Sequence, residues 1–101
     1  MSNKTELSKV KNFGPVTLPE LEAIGFKSVE ELQELGAEEV CRKWISYFPE
    51  RLNANAFLAV VATIEGVVWT KATPGMRGEA RRLAAMLRVE SSANDVFRVR
   101  K

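Results

Sequence analysis

The residues from Asn12 to Gly36, NFGPVTLPELEAIGFKSVEELQELG, leave this chain little choice of local structure. Thr17-Leu18-Pro19-Glu20 has the spacing of a capping box, in which a hydroxyl caps the helix start and the glutamate three residues on reaches back to the cap. Pro19 falls in the first turn, where a missing N–H costs nothing. Leu18, Leu21 and Ile24 recur at helical spacing, and Gly25 suits the left-handed position that ends a helix. Ser28-Val29-Glu30-Glu31 repeats the box, Val29, Leu32 and Leu35 repeat the stripe, and Gly36 repeats the stop. Only Gly25, Phe26 and Lys27 separate the two helices, so the reading is a tight αα-hairpin.

Three more helices follow. Ala37, Val40, Cys41, Trp44, Ile45 and Phe48 make the stripe of a core-facing third helix that Pro49 stops. On its other face Glu38–Arg42 and Glu39–Lys43 are i, i+4 pairs with the acid on the N-terminal side. Asn53 is a good N-cap for a fourth helix running to Glu65, apolar apart from Asn55 and Thr63. A helix apolar on nearly every side must be surrounded by others, so this one is the expected central post. Gly66 ends it, and Val67, Val68 and Trp69 are expected to fold back as an apolar plug, with Trp69 in the core. Thr73-Pro74 is a cap followed by proline at the first helical position. The fifth helix is expected to reach Val89, with Met76, Ala80, Leu83, Ala84 and Leu87 as its buried stripe. The expected fold is therefore all-α, a five-helix compact domain over residues 12–89. A loosely held basic arm, residues 1–11, precedes it, and a mobile basic tail, residues 90–101, follows.

Composition narrows the function. The chain has 101 residues, 46% of them hydrophobic and 28% charged, as in an ordinary soluble globular domain. It has no histidine and one cysteine, so His-based catalysis, Cys/His zinc sites and an intrachain disulfide are excluded. Cys41 lies on an apolar stripe and reads as a buried thiol, not a nucleophile. There is no phosphate-binding glycine loop, no calcium loop and no converging pair of carboxylates. The expectation is a protein that is not an enzyme and carries no metal or other cofactor. The opening dozen residues show no secretory leader, and the most apolar run, Ala54 to Ile64, is too short to cross a bilayer. A single cysteine fits a reducing cytoplasm, the expected location.

Net charge is only +2, but it is unevenly spread. Residues 14–36 carry five glutamates against Lys27, whereas residues 74–101 carry seven basic residues against three acidic ones. Arg77, Arg81 and Arg88 fall at i, i+4, i+11, along one edge of the fifth helix. Arginines so aligned suit phosphates. On a solvent face they also cover apolar surface and pair locally. Lys9 and Lys11 on the arm could track phosphates too, or serve as a solubilising terminus. In the hairpin, Gly25 and Lys27 stand at the second helix's positive end, where backbone N–H groups can meet an anion. Glu30 and Glu31 in the same turn repel that anion, so nucleic-acid contact is better placed on the fifth helix and the arm.

Asn12-Phe13-Gly14-Pro15, followed by a helix, Ile24-Gly25-Phe26-Lys27-Ser28 and a second helix, resembles a helix-hairpin-helix element. Leu35-Gly36-Ala37, Phe48-Pro49, Leu52-Asn53, Asn55-Ala56-Phe57 and Ile64-Glu65-Gly66-Val67-Val68-Trp69 follow in the order seen in TfoX/Sxy-type competence regulators. From about Phe13 to Arg88 the chain resembles their C-terminal domain, here as a stand-alone version or as a piece of a longer protein. The resemblance implies a SAM/helix-hairpin-helix-like fold and a role in transcriptional control of competence, through DNA or a DNA-bound regulator protein. The candidate nucleic-acid residues are then Gly25, Lys27, Arg77, Arg81, Arg88, Lys9 and Lys11. The alternative is a protein-interaction domain, homodimerising or not, that meets its partner through the acidic hairpin face or the third helix.

Overall fold

A computed structural model of the chain describes residues 5–99, and the side chains of residues 5–92. The first four residues of the arm and the last two of the tail lie outside the described residues. The described residues form five α-helices: α1 (Thr17–Ala23), α2 (Val29–Leu35), α3 (Ala37–Tyr47), α4 (Ala54–Glu65) and α5 (Pro74–Val99). Short 3-10 turns at Leu7–Lys9, Pro49–Arg51 and Trp69–Lys71 join or precede them, and no strand is present among the described residues.

The expected central post is central. Phe57, Leu58, Val60, Val61, Ala62 and Thr63 of α4 are buried. α4 packs most extensively on α5, and also on α2, α3 and the 3-10 turn at Trp69–Lys71. Asn53 caps α4 by accepting the Ala56 N–H at 2.8 Å, and Thr73 caps α5 by accepting the Met76 N–H at 3.2 Å. Leu21, Leu32, Val40, Trp44, Leu83 and Leu87 close around the post. Phe13 meets the Trp44 ring edge-on at 6.4 Å, an arrangement that aromatic quadrupoles favour.

Glycines at positive φ follow α1, α2 and α4, at Gly25, Gly36 and Gly66. After α1 the Phe26 N–H donates to Leu21 O and the Gly25 N–H to Glu22 O, a Schellman closure with Gly25 at φ 104°. An L side chain at that φ is strained, which is why glycine stands there.

The structure corrects four expectations. The Thr17–Glu20 capping box does not form: Val16 is the N-cap of α1, and the Thr17 hydroxyl instead accepts the Gly14 N–H at 2.9 Å. From Thr5 onward the arm is held. Leu7 is wholly buried, its N–H donates to Lys27 O at 2.9 Å, and the Val29 N–H donates to Thr5 O at 2.8 Å. Leu7, with these two backbone hydrogen bonds beside it, is enough to seat the segment. Trp69 is not core: it is 47% exposed and Val68 44%, because Trp44 and Phe57 already fill the interior. Finally, α5 does not end at Val89 but continues to Val99. Residues 90–99 contain no glycine or proline to stop it, and Glu90 is anchored across the gap to α3 by Arg42.

Cys41 is wholly buried between α3 and the core. Burial pushes its thiol up out of the reactive range, and the Glu79 carboxylate adds to the shift. The native protein is expected to leave a thiol reagent such as Ellman's uncoloured, and to react fully once denatured. Fast labelling of the folded chain would contradict the packing described here.

No helix among the described residues is long and apolar enough to cross a membrane, and no cluster of ligating side chains there can hold a metal ion.

Candidate functional site

The arginines divide into two sets. Arg51 lies in the 3-10 turn after α3 and grips Glu20 of α1 with Nε at 2.8 Å and Nη2 at 2.9 Å. Arg42 on α3 gathers Glu38 at 3.0 Å, Glu39, and Glu90 of α5 at 2.8 Å. Arg82 pairs with Glu79 one turn earlier, at 2.7 Å. Lys43, expected to pair with Glu39, sits over the Phe26 ring instead, 5.1 Å from its centroid. By contrast, the side chains of Arg77, Arg81 and Arg88 make no ion pair or hydrogen bond among the described residues, and all three are exposed.

Arg77 and Arg81 rim a groove of about 200 Å³ whose other walls are Ala54, Asn55 and Leu58 of α4 and Ala80 of α5. The groove therefore opens onto the first turn of α4, the positive end of that helix's dipole. No acidic residue stands in that turn, whereas α2 begins with Glu30 and Glu31 and α3 with Glu38 and Glu39. Two guanidinium groups, unpaired among the described residues, and a helix start without an acidic residue thus face one concavity. Arg88 continues the same edge of α5, about 16 Å along the axis from Arg77 at 1.5 Å per residue.

The turn between α1 and α2 offers an anion no such welcome. The N–H groups of Gly25 and Phe26 are spent in the Schellman closure. Those of Lys27 and Ser28 donate to one oxygen of Glu31, at 2.6 and 3.2 Å, and that of Val29 to Thr5 O. The second capping box thus forms as its sequence requires, with Ser28 as N-cap. Its carboxylate occupies the place a phosphate would take. Lys27 is exposed, and Gly25 has only the Lys43 ammonium near it, 3.8 Å from where a Cβ would stand.

Lys9 and Lys11 lie elsewhere again. They line a larger groove of about 440 Å³ together with Val10, Asn12, Val29, Gln33, Thr63, Val67 and Val68. It shares no lining residue with the arginine groove. It sits at the Thr63–Gly66 end of α4, and the other at the Ala54–Leu58 end. The seven residues singled out from sequence are therefore not one site but three places: a basic groove, a turn whose amides are used, and a lysine-flanked cleft.

A profile of the TfoX C-terminal domain matches residues 3–83. The chain belongs to the TfoX C-terminal domain family. No curated protein and no solved structure matches it. The TfoX C-terminal match includes every residue of both grooves, and it stops within α5. Arg88 and Glu90, the α5 partner of Arg42, lie beyond that edge, in the part of α5 that the family profile does not cover.

Three residues carry structural roles that sequence reasoning did not assign. Glu20 is the shared acceptor of Arg51 and Trp44, not a capping residue, and Glu90 ties α5 to Arg42 of α3. Asn12 proves to be a three-way clamp, donating to Thr63 Oγ1 at 3.0 Å and Val67 O at 2.9 Å and accepting the Trp69 N–H at 2.8 Å. Only Asn12 had a signal, in the motif it begins.

Proposed function

We propose that this TfoX-like regulatory domain works without enzymatic chemistry, by holding the phosphates of duplex DNA in the groove between α4 and α5. Arg77 and Arg81 are the contacts, Arg88 extends them, and the first turn of α4 adds its partial charge. The observation that carries this reading is that Arg77, Arg81 and Arg88 have no partner among the described residues while Arg42, Arg51 and Arg82 are each engaged by carboxylates. Contacts of this kind position a protein on DNA and do not read its sequence. Selectivity in transcriptional control, of competence in the regulators this domain resembles, would then come from another domain or a DNA-bound partner.

Titration of a labelled duplex followed by fluorescence anisotropy at several salt concentrations tests this. Each neutralised phosphate contributes about −0.9 to the slope of log affinity against log salt, so replacing Arg77, Arg81 and Arg88 together with serine is expected to flatten the slope by roughly 2–3. Replacing Lys9 and Lys11 with serine leaves it nearly unchanged. Absence of binding at low salt, or a slope indifferent to the arginines, overturns the reading.

A further inference from the structure

A second surface has a different character. The cleft at the C-terminal end of α4 has valines on its walls, Val10, Val29, Val67 and Val68, with Lys9 and Lys11 along one side. Both lysines are exposed, and neither makes an ion pair among the described residues. The carboxylate in the cleft is Glu30, one oxygen of which accepts the Thr5 N–H at 2.7 Å. Trp69 follows Val68 directly, next to the lining of the cleft and not part of it, and is 47% exposed. It is not on a loose loop: its backbone N–H is fastened to Asn12, whose amide also holds Thr63 and Val67. A half-exposed tryptophan on a fastened backbone is an anchor already paid for in entropy.

We infer that this cleft docks an acidic, apolar segment of a partner protein. Its apolar residues would lie on the valines and against Trp69, and its carboxylates would meet Lys9 and Lys11. Charge decides the sign of the occupant, since two unpaired ammonium groups flank the apolar wall. The valine wall favours a peptide over a nucleic-acid strand, because it can bury apolar side chains that a sugar–phosphate backbone lacks. The cleft volume of about 440 Å³ is within the range of built ligand sites. This surface shares nothing with the arginine groove, so the two proposals stand or fall separately.

The probe is a short, end-capped, fluorescein-labelled peptide alternating glutamate with leucine. A lysine–leucine peptide and an oligothymidylate are run beside it. Anisotropy reports binding, and tryptophan emission reports place: Trp44 is wholly buried, so a blue shift on titration comes from Trp69. The acidic peptide is expected to bind saturably with that blue shift. Lys9→Glu with Lys11→Glu, and separately Trp69→Ala, are expected to weaken it by about tenfold or more. Arg77→Ser with Arg81→Ser should change nothing. All of these side chains are exposed, and unchanged melting curves will certify folding. No binding of the acidic peptide overturns the inference. So does equal binding of the lysine–leucine peptide, or oligothymidylate binding in the acidic peptide's place.

Discussion

Replacing Glu20 by glutamine is expected to lower the unfolding free energy by about 2–3 kcal/mol and the melting temperature by roughly 10–20 °C. Glu20 is only 11% exposed and Arg51 23%. The carboxylate accepts both Arg51 nitrogens and the Trp44 indole N–H at 2.9 Å. It thereby joins α1, α3 and the turn after α3 at one point. Glutamine keeps the shape and can still accept from Trp44, so the loss isolates the charge. It leaves a half-buried guanidinium unpaired, and removing one partner of such a pair costs more than the pair is worth. Arg51→Met should be equally harmful alone. Combined with Glu20→Gln it should recover part of the loss, and a strictly additive double variant would refute the coupling. The pH dependence carries the same signature. The hydrogen bonds from Arg51 chiefly, and from Trp44, hold the Glu20 carboxyl below its ordinary value, against a smaller upward push from burial. A lowered folded-state value means that the stabilisation is complete above the unfolded glutamate pKa, about 4.3, and is lost as pH falls through the folded value. The wild-type curve should therefore drop below about pH 4, and the Glu20→Gln curve should start lower and fall less. Some slope remains in the variant, because Arg82 holds Glu79 down and Arg42 holds Glu90 down. Superimposable acid titrations of the two proteins would sink the assignment.

The same residue shows where the sequence stopped being legible. Thr17–Glu20 and Ser28–Glu31 have one spacing, yet only the second became a capping box. Ser28 is extended, as an N-cap should be, and the Glu31 carboxylate reaches back to accept the N–H groups of Lys27 and Ser28. At α1 the helix begins one residue earlier, and Glu20 answers to Arg51 and Trp44, 31 and 24 residues away. Local spacing lists the options, and a distant partner of opposite charge chooses among them. Helix existence was easier. The apolar runs of α3 and α4 and the caps at Asn53 and Thr73 rest on near neighbours, and they formed as read. The limits of the core were harder, because they depend on how much interior there is to fill. Leu7 was recruited from the arm, and Trp69, a larger side chain that carries a polar N–H, was left outside. Of the candidate site, the helical register of Arg77 and Arg81 was legible from spacing alone. That they are unpaired, and that Lys9 and Lys11 lie at the other end of α4, required the packing of four segments far apart in sequence.

Asn12→Ala is expected to cost about 2–3 kcal/mol, and its effect should be felt at Trp69 more than at any core residue. The amide makes three hydrogen bonds, and each of its partners lies more than fifty residues away. Alanine strands the Val67 carbonyl and the Trp69 N–H at once, while Thr63 keeps its bond to Ala59 O at 2.7 Å. Of its backbone hydrogen bonds to α4 among the described residues, the segment from Gly66 to Trp69 then keeps those of the Schellman closure at Gly66. Amide hydrogen exchange should show the Trp69 N–H protected in the wild type and fast in the variant, with Trp44 and the middle of α4 little changed. Asn12→Asp separates the two functions of the side chain. Its carboxylate still accepts from Trp69 but can no longer donate to Val67, so it should retain Trp69 protection and still lose stability. If Trp69 exchanges equally fast in wild type and in Asn12→Ala, the clamp does not fix the tryptophan. The rigidity assumed for the lysine-flanked cleft is then lost as well. Duplex DNA binding gives the complementary check. The arginine groove opens on the far end of α4, so the salt slope of Asn12→Ala should match the wild type even where peptide docking has weakened.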